Sequence, residues 1–498
     1  MTGRFRTDWF SRLAELHGPS PAVVDDATGT VWTYADLDRV GGLTAAWLKQ
    51  QGVLPGQRIA VVGENSMAHI LLLIGCQKSG AVLVPLNYRL AVPELDYLLG
   101  HCQASLLVYG DEVASSLEGI ATDIPRERIP SVEEVLARAS WPAAAPDPDP
   151  LPEDHPLMIL YTSGTTGRPK GAIISHGMVF WNAVNTLLRL GLTPGDRSVN
   201  GAPFHHTGGW NVLLTPFFLA GARTYLTRRF DPSRIVELCR TERLTILWGV
   251  PTMMRLIADV PDFGRDALES VRFALVGGEA MPEPLIRTWQ DVGVPIRQGF
   301  GMTEVGVNCF SLPEEDALRK IGSIGTPNFF LDARVVDGIG RHVGPEEVGE
   351  LHLRGPVVTP GYWADHTATR AAIRNGWFQT GDLVRVDHEG YFYVVGRKKD
   401  MYISGGENVY PAEVEAVLAE HPAVAEAAVI GVPDERWGES GVAIVVVRKP
   451  GLVSETELID FCRRHLARFK CPGQVRFVQA LPRGASGKVS KTHLTDYL

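Results

Sequence analysis

Four Ser or Thr residues, three glycines and one lysine crowd into 161-YTSGTTGRPKG-171, between the apolar runs 157-LMIL-160 and 172-AII-174. A strand followed by a loop rich in glycine and hydroxyls can surround a phosphate with backbone N–H groups. An exposed flexible linker is the commoner use of such residues. Here the loop is a tight connection between two apolar runs, and Pro169 stiffens the approach to Lys170. It is not a P-loop, because Gly167 is followed by Arg168 rather than by Lys. Five further stretches carry residues of chemical interest: 203-PFHHTGGWN-211, 299-GFGMTE-304, 380-TGD-382, 396-GRKKDMYISGGENVYPAE-413 and 483-RGASGKV-489.

Alternating helix and strand patterns must position these residues. Thr33 is expected to cap a helix carrying Leu37, Val40, Leu43, Trp47 and Leu48 on one face. The run 58-RIAVVG-63, an amphipathic segment over 67–79 and the strand-like 81-AVLVPL-86 then give a βαβ rhythm and a mostly parallel sheet. The stretch 141–156 holds six prolines and four acids and reads as a surface connector. The alternation resumes with 222-ARTYL-226, a helix near 232–242, 244-LTILWG-249 and 272-RFALVGG-278. Short alternating runs at 333–337, 350–355, 382–387 and 391–396, with a turn at 388–390, predict a small antiparallel sheet or barrel. The last hundred residues read as helix 411–420, strands 425–431 and 441–448, helix 455–468 and strand 474–479. The fold class is therefore α/β: a large N-terminal domain of layered, mostly parallel subdomains plus a small antiparallel sheet, then a small mobile α+β C-terminal domain. The expected boundaries are 1–396, a hinge at 397–400, and 401–498.

Composition narrows the function. A chain of 498 residues is too long for one core. Net charge −9 and a pI near 5.9 argue against nucleic acid as partner. Six cysteines without a C-x-x-C pair suggest neither zinc nor a disulfide framework, and reduced thiols in a cytoplasmic protein are expected. No secretory signal or integral membrane segment is visible, since Ile70 to Cys76 is too short to span a bilayer. A homodimer is compatible with the sequence.

The six stretches, in this order, make the chain similar to the adenylate-forming superfamily of acyl-CoA synthetases, luciferases and peptide-synthetase adenylation domains. The resemblance covers nearly the whole chain. It implies a two-step reaction, in which a carboxylic acid and ATP give acyl-AMP and pyrophosphate, and a thiol then displaces AMP. ATP, Mg²⁺ and coenzyme A are implied as the small molecules bound. On this resemblance Thr162, Ser163, Gly164, Thr165, Thr166 and Lys170 form the phosphate cradle. Thr303 bonds the α-phosphate, and Glu304 holds Mg²⁺, which prefers one or two carboxylates plus nucleotide oxygens. Gly277, Gly278 and Glu279 fall where the family wraps adenine. Asp382 accepts the ribose hydroxyls, with Arg397 in support. Lys488 bridges the attacking carboxylate and the α-phosphate, Asp400 is the hinge pivot, and Gly405 and Gly406 line a pantetheine tunnel. Trp437 and Lys470 contact the nucleotide end of CoA.

His206 matches the family's pocket histidine, and catalytic roles are expected for Lys488, His206, Thr303 and Glu304. His205 stands where an aromatic is usual, a departure bearing on the acyl channel. Peptide-synthetase domains use an Asp after the second motif, and 206-HTGGWN-211 has no acid. The acyl pocket is expected from His206, Gly209, Trp210, Met302 and Val307, with no fixed cation for a second carboxylate. A medium- or long-chain fatty acid is the first expectation. A hydroxycinnamate or other aryl acid is the alternative, and a luciferase-like oxygenase or a non-catalytic nucleotide-binding regulator a more distant one.

Overall fold

A computed structural model describes residues 8–129, 151–162, 169–483 and 489–498. Their contacts separate into two compact units. The first comprises residues up to Ile321 with Gly325–Asp332 and Leu353–Phe378; the second comprises Gly322–Ile324, Ala333–His352 and Gln379–Leu498.

In the first unit a six-stranded sheet runs in the order Arg126–Arg128, Ala104–Tyr109, Arg58–Val62, Val82–Leu86, Pro156–Thr162, Lys170–Ser175. Its neighbours are parallel except the last pair, which is an antiparallel hairpin. The two apolar runs that bracket the hydroxyl-rich loop therefore pair with each other, with Thr162 opposite Lys170. A second sheet joins Val31–Thr33, Pro21–Asp25, Arg223–Leu226 and Arg197–Asn200. In the third, Ile246–Gly249, Phe273–Val276 and Ile296–Phe300 are parallel and end in the loops that carry Gly278, Glu279, Thr303 and Glu304. Ligand sites of open α/β sheets lie at such carboxyl ends.

Thr33 caps the helix Tyr34–Gln50 as expected, with Asp36 completing a capping box. The segment Met67–Ser79 is helical but not amphipathic: every residue from Met67 to Gln77 is buried. It packs against the 34–50 helix and against strands Val82–Leu86 and Pro156–Thr162, so no face is left for solvent. Glycines let the two helices approach. A Cβ at Gly41 would overlap Ile74, and one at Gly75 would lie 2.7 Å from Thr44 Cγ2.

Lys78, at the end of this buried helix, reaches Asp8 (2.7 Å) and Asp38 (2.6 Å) with its side chain only 11% exposed. Ser11 Oγ bonds the same ammonium and both carboxylates. Lys78→Met would leave two sheltered carboxylates facing each other. Urea unfolding should report a loss of about 3 kcal/mol, the scale for removing one partner of a buried ion pair. An unchanged midpoint would show that the cluster is solvated and contributes nothing.

In the second unit the Asp382–Val386 end of the strand Trp377–Val386 pairs antiparallel with Phe392–Arg397, with Asp382 opposite Arg397. A five-stranded sheet follows in the order Glu407–Val409, Tyr402–Ser404, Gly438–Val447, Val424–Asp434, and Gln474–Val478 lies parallel to Gly438–Val447. Helices Pro411–Glu420 and Glu455–His465 pack against each other. The second is shorter than the expected 455–468, because Leu466 is extended and a 3₁₀ turn occupies Arg468–Lys470. Among the described residues no helix is long and apolar enough to cross a membrane.

Candidate active site

Within the first unit the hairpin and the 299–306 loop bring three expected residues together. Glu304 sits in a 3₁₀ turn, Thr303–Val305, and is 6% exposed. Thr162 Oγ1 lies 3.5 Å from Glu304 Oε1, and Lys170 follows directly across the hairpin from Thr162. Thr303 and Met302 are half-buried beside them. Ser163, Gly164, Thr165 and Thr166, the rest of the expected cradle, lie outside the described residues. Gly278 (φ +87°) and Glu279 are exposed in the turn after Phe273–Val276.

The loop's shape is imposed by close contacts. A Cβ at Gly301 would overlap the Val307 carbonyl, and Gly306 has φ +73°. A row of polar residues on the helix His176–Leu190 holds it from beneath. Asn182 Oδ1 accepts from Asn308 N (3.2 Å), and Asn308 Nδ2 donates to Thr186 Oγ1 (2.8 Å) and Val212 O (2.9 Å). Thr359 N donates to Glu304 O (2.7 Å).

One buried carboxylate is a poor site for a metal that must be fully caged by protein, and among the described residues no group of three His, Cys, Asp or Glu could do so. It fits Mg²⁺, which retains waters and binds through one or two carboxylates plus substrate phosphates.

The expected acyl pocket is partly redistributed. His206 immediately precedes the short helix Thr207–Asn211 and is half-buried, as are Met302 and Val307. Gly209 and Trp210 belong to the core behind them. A Cβ at Gly209 would lie 2.6 Å from Pro203 O, and Trp210, fully buried, stacks on Phe204 and donates to its carbonyl (2.5 Å). The ring that faces this region is Trp248, which the sequence did not single out; a Cβ at Gly208 would be 2.9 Å from it.

His205 is buried between Tyr88 and His206, with ring centroids at 6.2 and 4.5 Å. Burial, with smaller contributions from His206, Arg89 and His69, pushes its pKa down to about 3. It is thus a neutral flat ring packed between Tyr88 and His206. The unfolded chain takes up that proton near 6.5, so between 6.5 and 3 the unfolded state holds more protons and stability falls as the pH drops. His205→Phe should keep activity and flatten the slope of unfolding free energy between pH 6 and 4 by up to about 1.4 kcal/mol per pH unit. An unchanged slope in pH-dependent urea unfolding would refute the assignment of a neutral ring.

In the second unit Arg397 Nε pairs with Asp382 Oδ1 at 2.8 Å, and Arg397 Nη1 donates to Thr380 O (3.2 Å). Asp382 is 3% exposed and follows Gly381 at φ +72°. Lys398 pairs with Glu350 (2.9 Å), whose carboxyl is held down to about 2 by the His352 ring and the Lys398 ammonium. Asp400 N donates to Arg397 O (3.0 Å), closing a turn between Phe392–Arg397 and Tyr402–Ser404. Gly405 and Gly406, at φ +61° and +88°, form the turn of the hairpin Tyr402–Ser404/Glu407–Val409. Gly405 N donates to Trp437 O (2.8 Å), and the Trp437 ring, 44% exposed, covers that turn. Lys470 is paired with Glu413 at 2.6 Å. Lys488 lies outside the described residues.

The sequence reading missed Tyr362, Thr359 and the Asn182–Asn308 pair. The stretch 357-VVTPGYW-363 does signal a rigid turn ahead of two aromatics, but nothing in it points to Glu304.

Known proteins resemble this chain along its length. The AMP-binding enzyme family model matches residues 10–363, and the AMP-binding enzyme C-terminal domain model matches residues 413–488. A feruloyl-CoA synthase from an Amycolatopsis species is 42% identical over 485 residues, 97% of each chain. A long-chain-fatty-acid–CoA ligase from Mycobacterium tuberculosis is 37% identical over 497 residues, 98% of this chain and 97% of the relative. The crystal structure of ATP-bound MatB from Rhodopseudomonas palustris superposes with a TM-score of 0.91 at 31% identity, covering 99% of both chains.

Proposed function

We propose, since the chain belongs to the AMP-binding enzyme family and is an AMP-forming acyl-CoA ligase using ATP and CoA, that its acid is a hydrophobic monocarboxylate, first of all a medium- or long-chain fatty acid. A carboxylate oxygen attacks the α-phosphorus of ATP, the bond to the bridging oxygen breaks, and pyrophosphate leaves. The CoA sulfur then attacks the acyl carbon, the thiol proton passes to solvent, and AMP leaves. Thr162–Thr166 and Lys170 would hold the phosphates, Thr303 the α-phosphate, and Gly278 and Glu279 the adenine. Asp382 and Arg397 would hold the ribose, and Lys488 would meet the charge that develops during attack. Glu304 would bind Mg²⁺, which when present neutralises charge on the departing phosphates. Gly405, Gly406, Trp437 and Lys470 would receive CoA after a rotation about 397–400. Cytoplasmic location suits free CoA and six unpaired cysteines.

The observation that carries the choice of acid is the apolar cluster of Val212, Leu213, Phe217, Phe273 and Leu275, against which the half-buried Val307 and Trp248 pack. None of His206, Gly209, Trp210, Met302 and Val307 is charged like Lys or Arg, so a second carboxylate has no partner among them. A second reading, an aryl acid such as a hydroxycinnamate, is favoured by the indole of Trp248 lying against Gly208 and by the 42% identical relative. A panel of straight-chain and aromatic acids tests both. The first reading expects the highest kcat/KM among aliphatic acids. Aromatic acids ahead by more than about tenfold, or 1.4 kcal/mol of discrimination, would establish the second.

A further inference from the structure

Residues 361–363 lie along the outer strand of the hairpin that carries Lys170. Ile173 N donates to Gly361 O (3.0 Å), Trp363 N to Gly171 O (2.7 Å), and Ala172 bridges Tyr362. The Tyr362 backbone is also fixed from the other side, its N–H donating to Thr369 Oγ1 (2.9 Å). Alternation along the strand then sends neighbouring rings to different tasks. The Trp363 ring lies under the Arg58 guanidinium at 4.9 Å, whereas the Tyr362 ring lies under the Lys170 ammonium at 5.2 Å. The Tyr362 hydroxyl donates to Glu304 Oε1 at 3.1 Å.

We propose that Tyr362 is a positioning residue for the nucleotide and its metal, holding Lys170 with its ring and Glu304 with its hydroxyl. The inference rests on the reading of Lys170 as a phosphate ligand and Glu304 as the Mg²⁺ ligand. The Tyr362 hydroxyl donates to Oε1, and Thr162 Oγ1 lies 3.5 Å from the same oxygen, so that end of the carboxylate is held by the protein. Outer hydrogen bonds of this kind orient metal ligands and commonly change metal affinity or activity by about 10–100-fold when removed. An ammonium over a phenol ring is a weaker, directional hold. One side chain thereby ties the strand that delivers the lysine to the turn that delivers the carboxylate, 142 residues apart from Thr162 to Glu304.

The two contacts separate by substitution. Calorimetric titration of the full-length protein with ATP, with and without Mg²⁺, is the readout, alongside the Mg²⁺ dependence of pyrophosphate release. Tyr362→Phe keeps the ring, so metal-free ATP binding should be unchanged while the gain in affinity brought by Mg²⁺ falls about tenfold. Tyr362→Leu should show that loss and, in addition, about threefold weaker binding of metal-free ATP. Glu304→Gln and Lys170→Ala serve as references. If Glu304→Gln loses the Mg²⁺ effect but Tyr362→Phe retains it, the inference is overturned and the site reading stands. Equal weakening of both titrations by Tyr362→Phe would also overturn it, reducing the residue to a general structural one. If neither reference variant changes either titration, the reading of Lys170 and Glu304 fails, and this inference with it.

Discussion

Lys488→Ala is expected to slow acid-dependent pyrophosphate release by about 10²–10³-fold, the ~3–4 kcal/mol typical of losing one preorganised stabiliser of transition-state charge. The variant should nonetheless convert synthetic acyl-AMP and CoA to acyl-CoA at close to the parent rate. A carboxylate approaching a phosphate brings two anions together, and an ammonium placed between them lowers that repulsion only while the P–O bond is forming. In the thioester step the leaving group is already a phosphate monoester and the nucleophile is sulfur, so the same cation has little left to do. The sequence supports a delivered lysine, since 484-GASG-487 precedes it. Equal loss in both half-reactions would remove Lys488 from its proposed role.

The complementary expectation concerns Asp400. Asp400→Pro should leave pyrophosphate release near the parent rate and largely abolish thioester formation. Proline fixes φ and removes an N–H, and Asp400 N is the donor that closes the 397–400 turn onto Arg397 O. A hinge that must change backbone angles between two half-reactions is stopped by such a residue in whichever state tolerates it. Half-reaction assays on the two variants, run side by side, should give opposite patterns. Two variants that fail identically would rule out a division of labour by rotation about this segment.

Much of the scaffold was legible because it rests on local rules. The Thr33 cap, the βαβ rhythm over 58–86 and the turn at 388–390 each follow from spacing within a few residues. The 67–79 helix was misjudged as amphipathic because periodicity reports one face, whereas helix and strands press this segment from several sides. Thr162, Lys170 and Glu304, drawn from two separate motifs, lie in one neighbourhood of the fold. What the motifs did not reveal are partners fixed by long-range topology. Tyr362 reaches Glu304 across 58 positions, and Trp248 meets Gly208 across forty, with no local pattern announcing either. His205 illustrates a different limit. Its departure from the usual aromatic could be seen in the sequence, but its burial as an uncharged ring could not.

The most direct test of the account follows one oxygen atom. The purified enzyme is incubated with ATP, Mg²⁺, CoA and a turned-over acid labelled with ¹⁸O in its carboxylate, and the AMP and pyrophosphate are weighed by mass spectrometry. Attack of the carboxylate on the α-phosphorus predicts one labelled oxygen in AMP and none in pyrophosphate, with acyl-CoA equal to AMP. Unlabelled AMP, or label appearing in phosphate with ADP as the nucleotide product, would contradict it.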